Sequence, residues 1–450
     1  MIDEERYKII NGDSLKVLDT FEDNYFDACI TDPPYGLTTI TKRFGKEGSA
    51  AAQFGKDGSF NRLSKGFMGK EWDGTGIEYN VEFWQKVYSK LKNGAYLLAF
   101  GGSRTFHRIA CAIEDAGFEI RDTIMWLYGS GFPKSHNIAL DIDKLNGCPD
   151  RGHRIAVANR HHPDGTLEPN GEQLEPYEAK TELAKNWNGW GTALKPAFEP
   201  IIVARKPIKG TVAKNCLKYG VGGLNIDECR ISYNGETPNI GGRGKHTRGE
   251  GYGFKPMGDD ASANELGRFP ANVILTYDET DFEEVCGNMP ETNGSQGQPF
   301  KATDYEEHET STNFTRGDFK PYNDNGNACR YFYCAKASKK DRDNGLDLFE
   351  EKQTTDGCVR TNKETARKFG ANSSLRKNIH PTVKPVELMQ YLIRLVCPKG
   401  SKILDPFNGS GSTGKAVAFE NRERERVFLC WHWTWQRILR NLKGKNWLRY

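Results

Sequence analysis

The stretch KILDPFNGSGSTGKAVAFEN (402–421) decides how the rest of the chain is read. A short apolar run, KIL, meets an Asp-Pro break. Glycines follow at 409, 411 and 414, then a helical pattern, and RVFLC (426–430) reads as the next strand. Strand, glycine loop, helix, strand is the rhythm of an open α/β sheet with parallel neighbours. Gly409, Gly411 and Gly414 stand as G-x-G-x-x-G. Glycine lets the backbone turn tightly and approach a ligand, and the first N–H groups of the helix stay unpaired. Alone, the pattern is equally a plain tight turn. It comes close to a P-loop through Gly414 and Lys415. The next residue is Ala416, however, with no hydroxyl to hold Mg²⁺, which argues against a nucleotide hydrolase.

The N-terminal part supplies a second signal. FDACIT (26–31) reads as a buried strand, and Asp32-Pro33-Pro34-Tyr35-Gly36 follows it directly. Two prolines forbid helix and remove two N–H donors. The Asp32 carboxylate and the carbonyls after it are left as acceptors at the carboxyl end of a strand, where open α/β sheets bind ligands. Tyr35 adds a flat ring beside them. This surface suits a planar group bearing an NH₂, whose two N–H bonds would go to Asp32 and to a Pro33 carbonyl. An exocyclic base amine is such a group. Its lone pair is delocalised into the ring, and acceptors for both protons favour the pyramidal, nucleophilic nitrogen.

Around these motifs the texture changes twice. In residues 1–134, VEFWQKVYSKL (81–91) places Phe83, Trp84, Val87, Tyr88 and Leu91 on one helical face. AYLLAFGG (95–102) reads as a strand, and TFHRIACAIEDAGFEI (105–120) as a helix ending at Gly117 and leading into another strand. Residues 135–379 lose the rhythm. The stretch 231–260 has eight glycines, too many for packed elements, and 287–328 is polar and poor in aliphatics. Apolar islands at 197–207, 269–275 and 328–338 read as strands of a small irregular subdomain. From 380 to 430 the α/β texture returns, with VELMQYLIRLVCP (386–398) turning Leu388, Met389, Leu392, Leu395 and Val396 inward. The domain reading is therefore 1–134, 135–379, 380–430 and a basic tail, 431–450.

Composition agrees with a globular chain. Of 450 residues, 63 are Lys or Arg and 60 Asp or Glu, a net charge of +3; this balance neither requires nor forbids a polyanion partner. Counting the 48 glycines with the 37% hydrophobic residues brings apolar content to about half, enough for a core. No window approaches ~18 consecutive apolar residues, so no membrane span is expected. The acidic start, MIDEERYKII, lacks the basic-then-apolar form of an export signal, so a cytoplasmic setting is expected, with the 11 cysteines as thiols.

The two motifs together resemble motifs IV and I of S-adenosylmethionine-dependent DNA amino-methyltransferases. Their order, with ThrAspProProTyrGly (31–36) first, a variable region next and LeuAspProPheAsnGlySerGlySer (404–412) last, is similar to the β class. AsnGlyAsp (11–13), TrpLeuTyrGlySerGlyPheProLysSer (126–135) and HisProThrValLysPro (380–385) fit the same likeness. The resemblance covers roughly 1–135 and 380–425. It implies a doubly wound mixed α/β sheet of the Rossmann-like methyltransferase type, with a large irregular insertion. It also implies Asp32, Pro33, Pro34 and Tyr35 as the catalytic set. Asp405, Phe407, Gly409 and Gly411 would line S-adenosylmethionine, with Asp13 near its adenine and Lys384 near its methionyl end. No metal is implied.

The Asp-Pro-Pro-Tyr form implies adenine N6 as acceptor, with cytosine N4, where Ser more often stands first, as the alternative. No Pro-Cys dipeptide supplies the nucleophile that carbon-5 methylation needs. Methylation of RNA or of a protein amide is a lesser option. The partner implied is double-stranded DNA, with the target base flipped out of the stack. The middle region would recognise the site, with Lys336, Lys339, Lys340 and Arg342 as candidate phosphate contacts. Monomer and homodimer are both compatible, and a partner restriction nuclease would fit a restriction-modification setting.

Other features read as structural. Cys216, Cys229, Cys329 and Cys334 lack the spacing of two zinc knuckles. His153, His161 and His162 lie in a polar loop. Trp72 and Trp126 read as core or loop anchors rather than base-stacking wedges.

The tail departs from the resemblance. Such sites usually place an acid about 20 residues after the glycine loop, on the ribose hydroxyls. Here PheLeuCysTrpHisTrpThrTrpGln (428–436) has three tryptophans and no acid, and RILRNLKGKNWLRY is strongly basic. Back-translation from Val427 admits codons that, moved by one nucleotide, spell FFCVGIGLGKEYCEISKERIGY. With TGA read as tryptophan at Trp433, Trp435 and Trp447, the shifted text becomes FFCVGIELDKEYCEISKERIDY, a strand, an acid and a helix. The tail is therefore read as frame-shifted, which leaves a catalytically impaired DNA-binding relic of the same fold as the rival reading.

Overall fold

The computed structural model describes residues 7–35, 76–128, 135–148, 159–161, 167–169, 177–233, 266–276, 286–287, 289–292, 326–335, 352–355, 358–359, 373–376, 383–419 and 426–431. The chain divides into two compact units. The first comprises Met1–Gly129, Phe198–Asn344 and Thr382–Tyr450, and the second Ser130–Ala197 and Gly345–Pro381.

The first unit is built on one nine-stranded mixed sheet. Its strands are β1 (Tyr7–Asn11), β2 (Phe26–Thr31), β3 (Leu91–Phe100), β4 (Glu119–Tyr128), β5 (Phe198–Arg205), β6 (Val273–Thr276), β7 (Tyr333–Cys334), β8 (Lys402–Asp405) and β9 (Arg426–Trp431). Their spatial order is β1-β9-β8-β2-β3-β5-β4-β6-β7. All neighbours are parallel except β5, which runs antiparallel between β3 and β4. The helices of this unit used below are α1 (Ser14–Leu18), α2 (Val81–Lys90), α3 (Phe106–Asp115), α4 (Val212–Tyr219), α5 (Val386–Val396) and α6 (Ser412–Phe419).

The central strands are apolar on both faces because helices cover both. Alternate residues divide between two cores. Ala28, Ile30, Leu98, Phe100, Ile201, Val203 and Ile403 pack with the inward side of α5. Cys29, Leu97, Ala99, Ile202, Ala204 and Leu404 pack with Phe83, Trp84 and Val87 of α2 and Ile109 and Ile113 of α3. On α2, Phe83, Trp84 and Val87 are buried as the helical periodicity predicts, while Leu91 already begins β3. All five residues expected inward on α5 are buried, and Tyr391 and Ile393 join them.

A buried ammonium joins α2, β3 and β5. Lys206 donates to the carbonyls of Tyr88 (2.9 Å) and Leu91 (2.8 Å) and to Asn24 Oδ1 (3.1 Å). It thereby satisfies acceptors that the end of a helix leaves open, with a charge of the favourable sign.

The three islands expected to form a small irregular subdomain do not. They supply β5, β6 and β7 of the main sheet. The reason lies in β5: its IIVAR residues are continuously buried, as in a strand covered on both faces and paired on both edges.

The second unit contains helices Ile138–Leu145 and Glu182–Lys185, a two-stranded ribbon of Asn159–His161 with Leu167–Pro169, and a three-stranded sheet ordered Cys358–Val359, Lys352–Thr355, Ser373–Arg376. Asp143 ties its two helical segments together. It accepts from the Lys180 and Thr181 amides at 2.8 and 3.0 Å and from the Thr181 hydroxyl at 2.7 Å. Among the described residues, no helix is long and apolar enough to cross a membrane.

Candidate active site

From β2 the chain proceeds through α2 to β3, on one side. From β8 it proceeds through α6 to β9, on the other. The adjacent parallel pair β2/β8 is therefore the place where the winding reverses, and the loops at the carboxyl ends of these two strands border one crevice. Those loops are Asp32–Tyr35 and Pro406–Gly411, the two motifs singled out in the sequence. The residues that join them, Thr31 and Asp405, are 374 apart along the chain and on adjacent strands in space, with Ile403 opposite Ala28 and Leu404 opposite Cys29.

A direct bond locks them. The Thr31 hydroxyl donates to Asp405 Oδ1 at 2.7 Å. Asp405 also accepts from the Thr413 hydroxyl at 2.7 Å and from the Phe407 amide at 3.1 Å. This buried carboxyl thus holds the start of the glycine loop, the first turn of α6 and the end of β2. Burial, with a smaller push from the nearby Asp32 charge, raises its pKa to about 6.

Beyond Asp405 the loop has the form of a cradle. Gly409 and Gly411 have φ of 50° and 79°, a left-handed backbone that glycine adopts without strain. Phe407 is half-buried, its ring centroid 5.1 Å from that of Phe83. Asn408 Oδ1 is buried with no hydrogen-bond partner. Buried acceptors are rarely left so, and an unsatisfied one facing a glycine turn is what a polar ligand would complete. Asp13 is exposed and caps α1, accepting from the Leu15 amide at 2.9 Å. Its neighbour Ser14 donates to the Pro406 carbonyl at 2.8 Å and so ties the end of β1 to the same loop.

At the end of β2, Pro33 and Pro34 are buried and Asp32 and Tyr35 partly exposed. The Tyr35 carbonyl accepts from the Thr105 hydroxyl (2.6 Å) and the Tyr79 hydroxyl (3.2 Å). Lys384, from the segment just before α5, reaches in and donates to Asp32 Oδ2 at 2.7 Å and to the Tyr35 hydroxyl at 3.0 Å. Burial opposes its charge, but the Asp32 and Glu199 carboxylates outweigh burial and hold the ammonium above the usual lysine range. The Tyr35 phenol is pushed well up by burial and by the same two carboxylates, so it stays protonated. Asp32 Oδ1 is buried and has no hydrogen-bond partner. One oxygen of the carboxylate is thus taken by Lys384 and the other is an unfilled acceptor.

The structure brings Asp32, Pro33, Pro34, Tyr35 and Lys384 into one cluster, and Asp405, Phe407, Gly409 and Gly411 into the adjoining loop. Asp13 reaches that loop only through its neighbour Ser14. Two participants were given no site role in the sequence reading, although Tyr128 lies within the quoted 126–135 stretch. Glu199, at the second position of β5, accepts from the Tyr35 hydroxyl at 2.7 Å. Tyr128, the last residue of β4, lies 3.5 Å from its other oxygen. An acid immediately before the apolar run Pro200–Ala204 was the available signal for Glu199. Trp126 is buried, and its indole N–H donates to the Thr276 hydroxyl at 2.8 Å, as expected of a core anchor. Among the described residues no group of three or more His, Cys, Asp or Glu could hold a metal ion. Trp72, His153, His162, Lys336, Lys339, Lys340, Arg342 and the tail beyond Trp431 lie outside the described residues.

An open α/β sheet with a ligand crevice at its winding reversal defines a nucleotide- or cofactor-handling class of protein. The model of the N6_N4_Mtase family, DNA methylase, matches residues 26–234 and 251–431, and the chain belongs to this family. It is similar to the Type II methyltransferase M.HindIII of Haemophilus influenzae, 28% identical over 244 residues, which is 48% of this chain and 64% of that protein. The alignment therefore spans less than two thirds of the relative's length. Among solved structures, it overlays the M1.HpyAVI–SAM complex at a TM-score of 0.32 and 12% identity, covering 98% of this chain and 99% of that one. The PvuII DNA methyltransferase (cytosine-N4-specific) overlays at 0.34 and 12%, covering 95% and 82%. At such scores the strand order, not the superposition, defines the fold.

Proposed function

We propose that this protein transfers a methyl group from S-adenosylmethionine to the exocyclic N6 of an adenine flipped out of double-stranded DNA at a specific site. The observation that carries this reading is the juxtaposition across β2/β8. An acidic-proline-proline-aromatic loop with an unfilled carboxylate oxygen is bonded through Thr31 and Asp405 to a glycine cradle with an unfilled amide oxygen. Membership of the DNA methylase family and the likeness to a type II methyltransferase support the substrate class.

When bound, S-adenosylmethionine supplies a methyl already activated by its sulfonium. Phe407, Asn408, Gly409 and Gly411 would hold it, and the unfilled Asn408 acceptor and open glycine backbone of that loop fit such a group. The chain's own residues prepare the acceptor. Asp32 and the Pro33 carbonyl receive the two N–H bonds of the amine, which localises its lone pair, and Tyr35 stacks on the base. Lys384 fixes the direction of the Asp32 carboxylate through its 2.7 Å contact with Oδ2. Alignment then accounts for much of the rate, because the donor needs no enzyme nucleophile.

The test is incubation with tritiated S-adenosylmethionine and duplex DNA, followed by nucleoside analysis. Label on N6-methyladenine is expected. Label on N4-methylcytosine would move the assignment to the sister chemistry, and absence of transfer would refute it. Mapping methylated positions in DNA from cells expressing the protein would identify the recognition sequence.

A second reading concerns the tail. We propose that the chain from Val427, the second residue of β9, is encoded out of frame. Strand β9 is in register with β8, Leu429 opposite Asp405, so the chain leaves it at the edge that carries the glycine loop. There a ribose-binding acid is expected, yet the sequence continues His-Trp-Thr-Trp, and the family match ends at residue 431. A chain encoding FFCVGIELDKEYCEISKERIDY from Val427 should bind S-adenosylmethionine about 10-fold more tightly, the scale of one charge-assisted hydrogen bond. Gene codons incompatible with the shift would end the idea.

A further inference from the structure

We infer that Glu199 is a positioning residue of this site, acting through the Tyr35 hydroxyl to hold the ring against which the target base would stack. The inference rests on the function proposed above.

The Tyr35 hydroxyl has two partners of opposite kind. It receives a hydrogen bond from Lys384 at 3.0 Å and gives one to Glu199 Oε2 at 2.7 Å. With its backbone carbonyl held by Thr105 and Tyr79, the residue is fixed at both ends. Glu199 itself is held in place. It stands on the antiparallel strand wedged between β3 and β4, 17% exposed in its side chain. Its Oε2 is 3.4 Å from Lys384 Nζ and its Oε1 3.5 Å from the Tyr128 hydroxyl.

A carboxylate in an apolar, largely buried strand is costly unless its contacts compensate it. Here Oε2 meets the Tyr35 hydroxyl and the lysine that serves the Asp32–Tyr35 loop, and Oε1 meets the Tyr128 hydroxyl at 3.5 Å. Two carboxylates, Asp32 and Glu199, also face one ammonium.

The test uses the full chain and three substitutions. Glu199→Leu removes the acceptor and should lower kcat for DNA methylation about 10- to 100-fold, the scale of a sub-ångström to 1 Å misplacement. S-adenosylmethionine affinity, measured by calorimetry, should stay within about twofold, because the glycine loop is untouched. Glu199→Gln keeps an oxygen that can accept from Tyr35 and should recover most of the loss. In a Tyr35→Phe background, adding Glu199→Leu should cost less than about threefold, since the hydroxyl through which Glu199 acts is already gone. Unchanged kcat in Glu199→Leu, a Gln variant as impaired as the Leu one, fully additive losses, or a parallel fall in cofactor affinity would each overturn the inference. The same double-mutant cycle read in thermal midpoints needs no substrate. Coupling there, with no methylation by the parent protein, would uphold the Glu199–Tyr35 anchor and overturn the proposed function instead.

Discussion

Replacing Asp405 by Asn should flatten the acid side of the stability profile. Asp405 is 2% exposed, and burial raises its pKa from 3.8 to about 6 in the folded protein. The folded state therefore binds more protons than the unfolded one between those values. The stabilisation this carboxyl contributes is fully present below about pH 3.8 and is lost as pH rises through about 6. At ~1.4 kcal/mol per tenfold change in proton affinity, the whole swing is about 3 kcal/mol. About 2 kcal/mol of it falls between about pH 4.5 and about pH 7.5. Asn has nearly the same shape and accepts through one atom while donating through the other. One of the two threonine hydroxyls that now donate to Asp405 can turn to accept from it. The assay is urea unfolding followed by tryptophan fluorescence at the two pH values, for parent and variant. All other carboxylates titrate alike in both, so the difference of differences isolates Asp405. Parallel profiles would refute the assignment of a proton held by this buried carboxyl.

Three further outcomes follow from the same geometry. Lys384→Met leaves Asp32 and Glu199 without their shared cation and should destabilise by about 3–5 kcal/mol, with Lys384→Met/Glu199→Gln recovering part of it; thermal melts of both variants check the order. Asp32→Ala should lower methyl transfer by about 10²–10³ while leaving S-adenosylmethionine affinity within about threefold, as measured by single-turnover kinetics and calorimetry. Trp84→Ala removes a fully buried indole whose N–H donates to the Glu78 carbonyl at 2.9 Å, and should cost about 3–5 kcal/mol in urea unfolding without shifting the pH profile.

Much of the first unit was legible in the chain because its signals are local. FDACIT and KIL are short apolar runs that stop at Asp-Pro, RVFL is another that follows a charged stretch, and the helices 81–90 and 386–396 show their period plainly. The two motifs were legible because proline and glycine restrict or free the backbone wherever they stand. The role of β5 was not. A strand that continues the sheet antiparallel between two strands that end at Phe100 and Tyr128, far earlier in the chain, has no local mark beyond its apolar run. Glu199 was hidden with it, since the value of a lone acid depends on what lies across the sheet.

The sequence by itself determined which chemical groups this protein carries and the turns that present them: acceptors after β2 and a glycine cradle after β8. Only the tertiary structure decided that these turns adjoin, because strand order is set by which apolar faces bury one another across hundreds of residues. The same long-range packing placed Lys384 on Asp32 and Glu199 on Tyr35, and so converted a loop motif into a charged, fixed site.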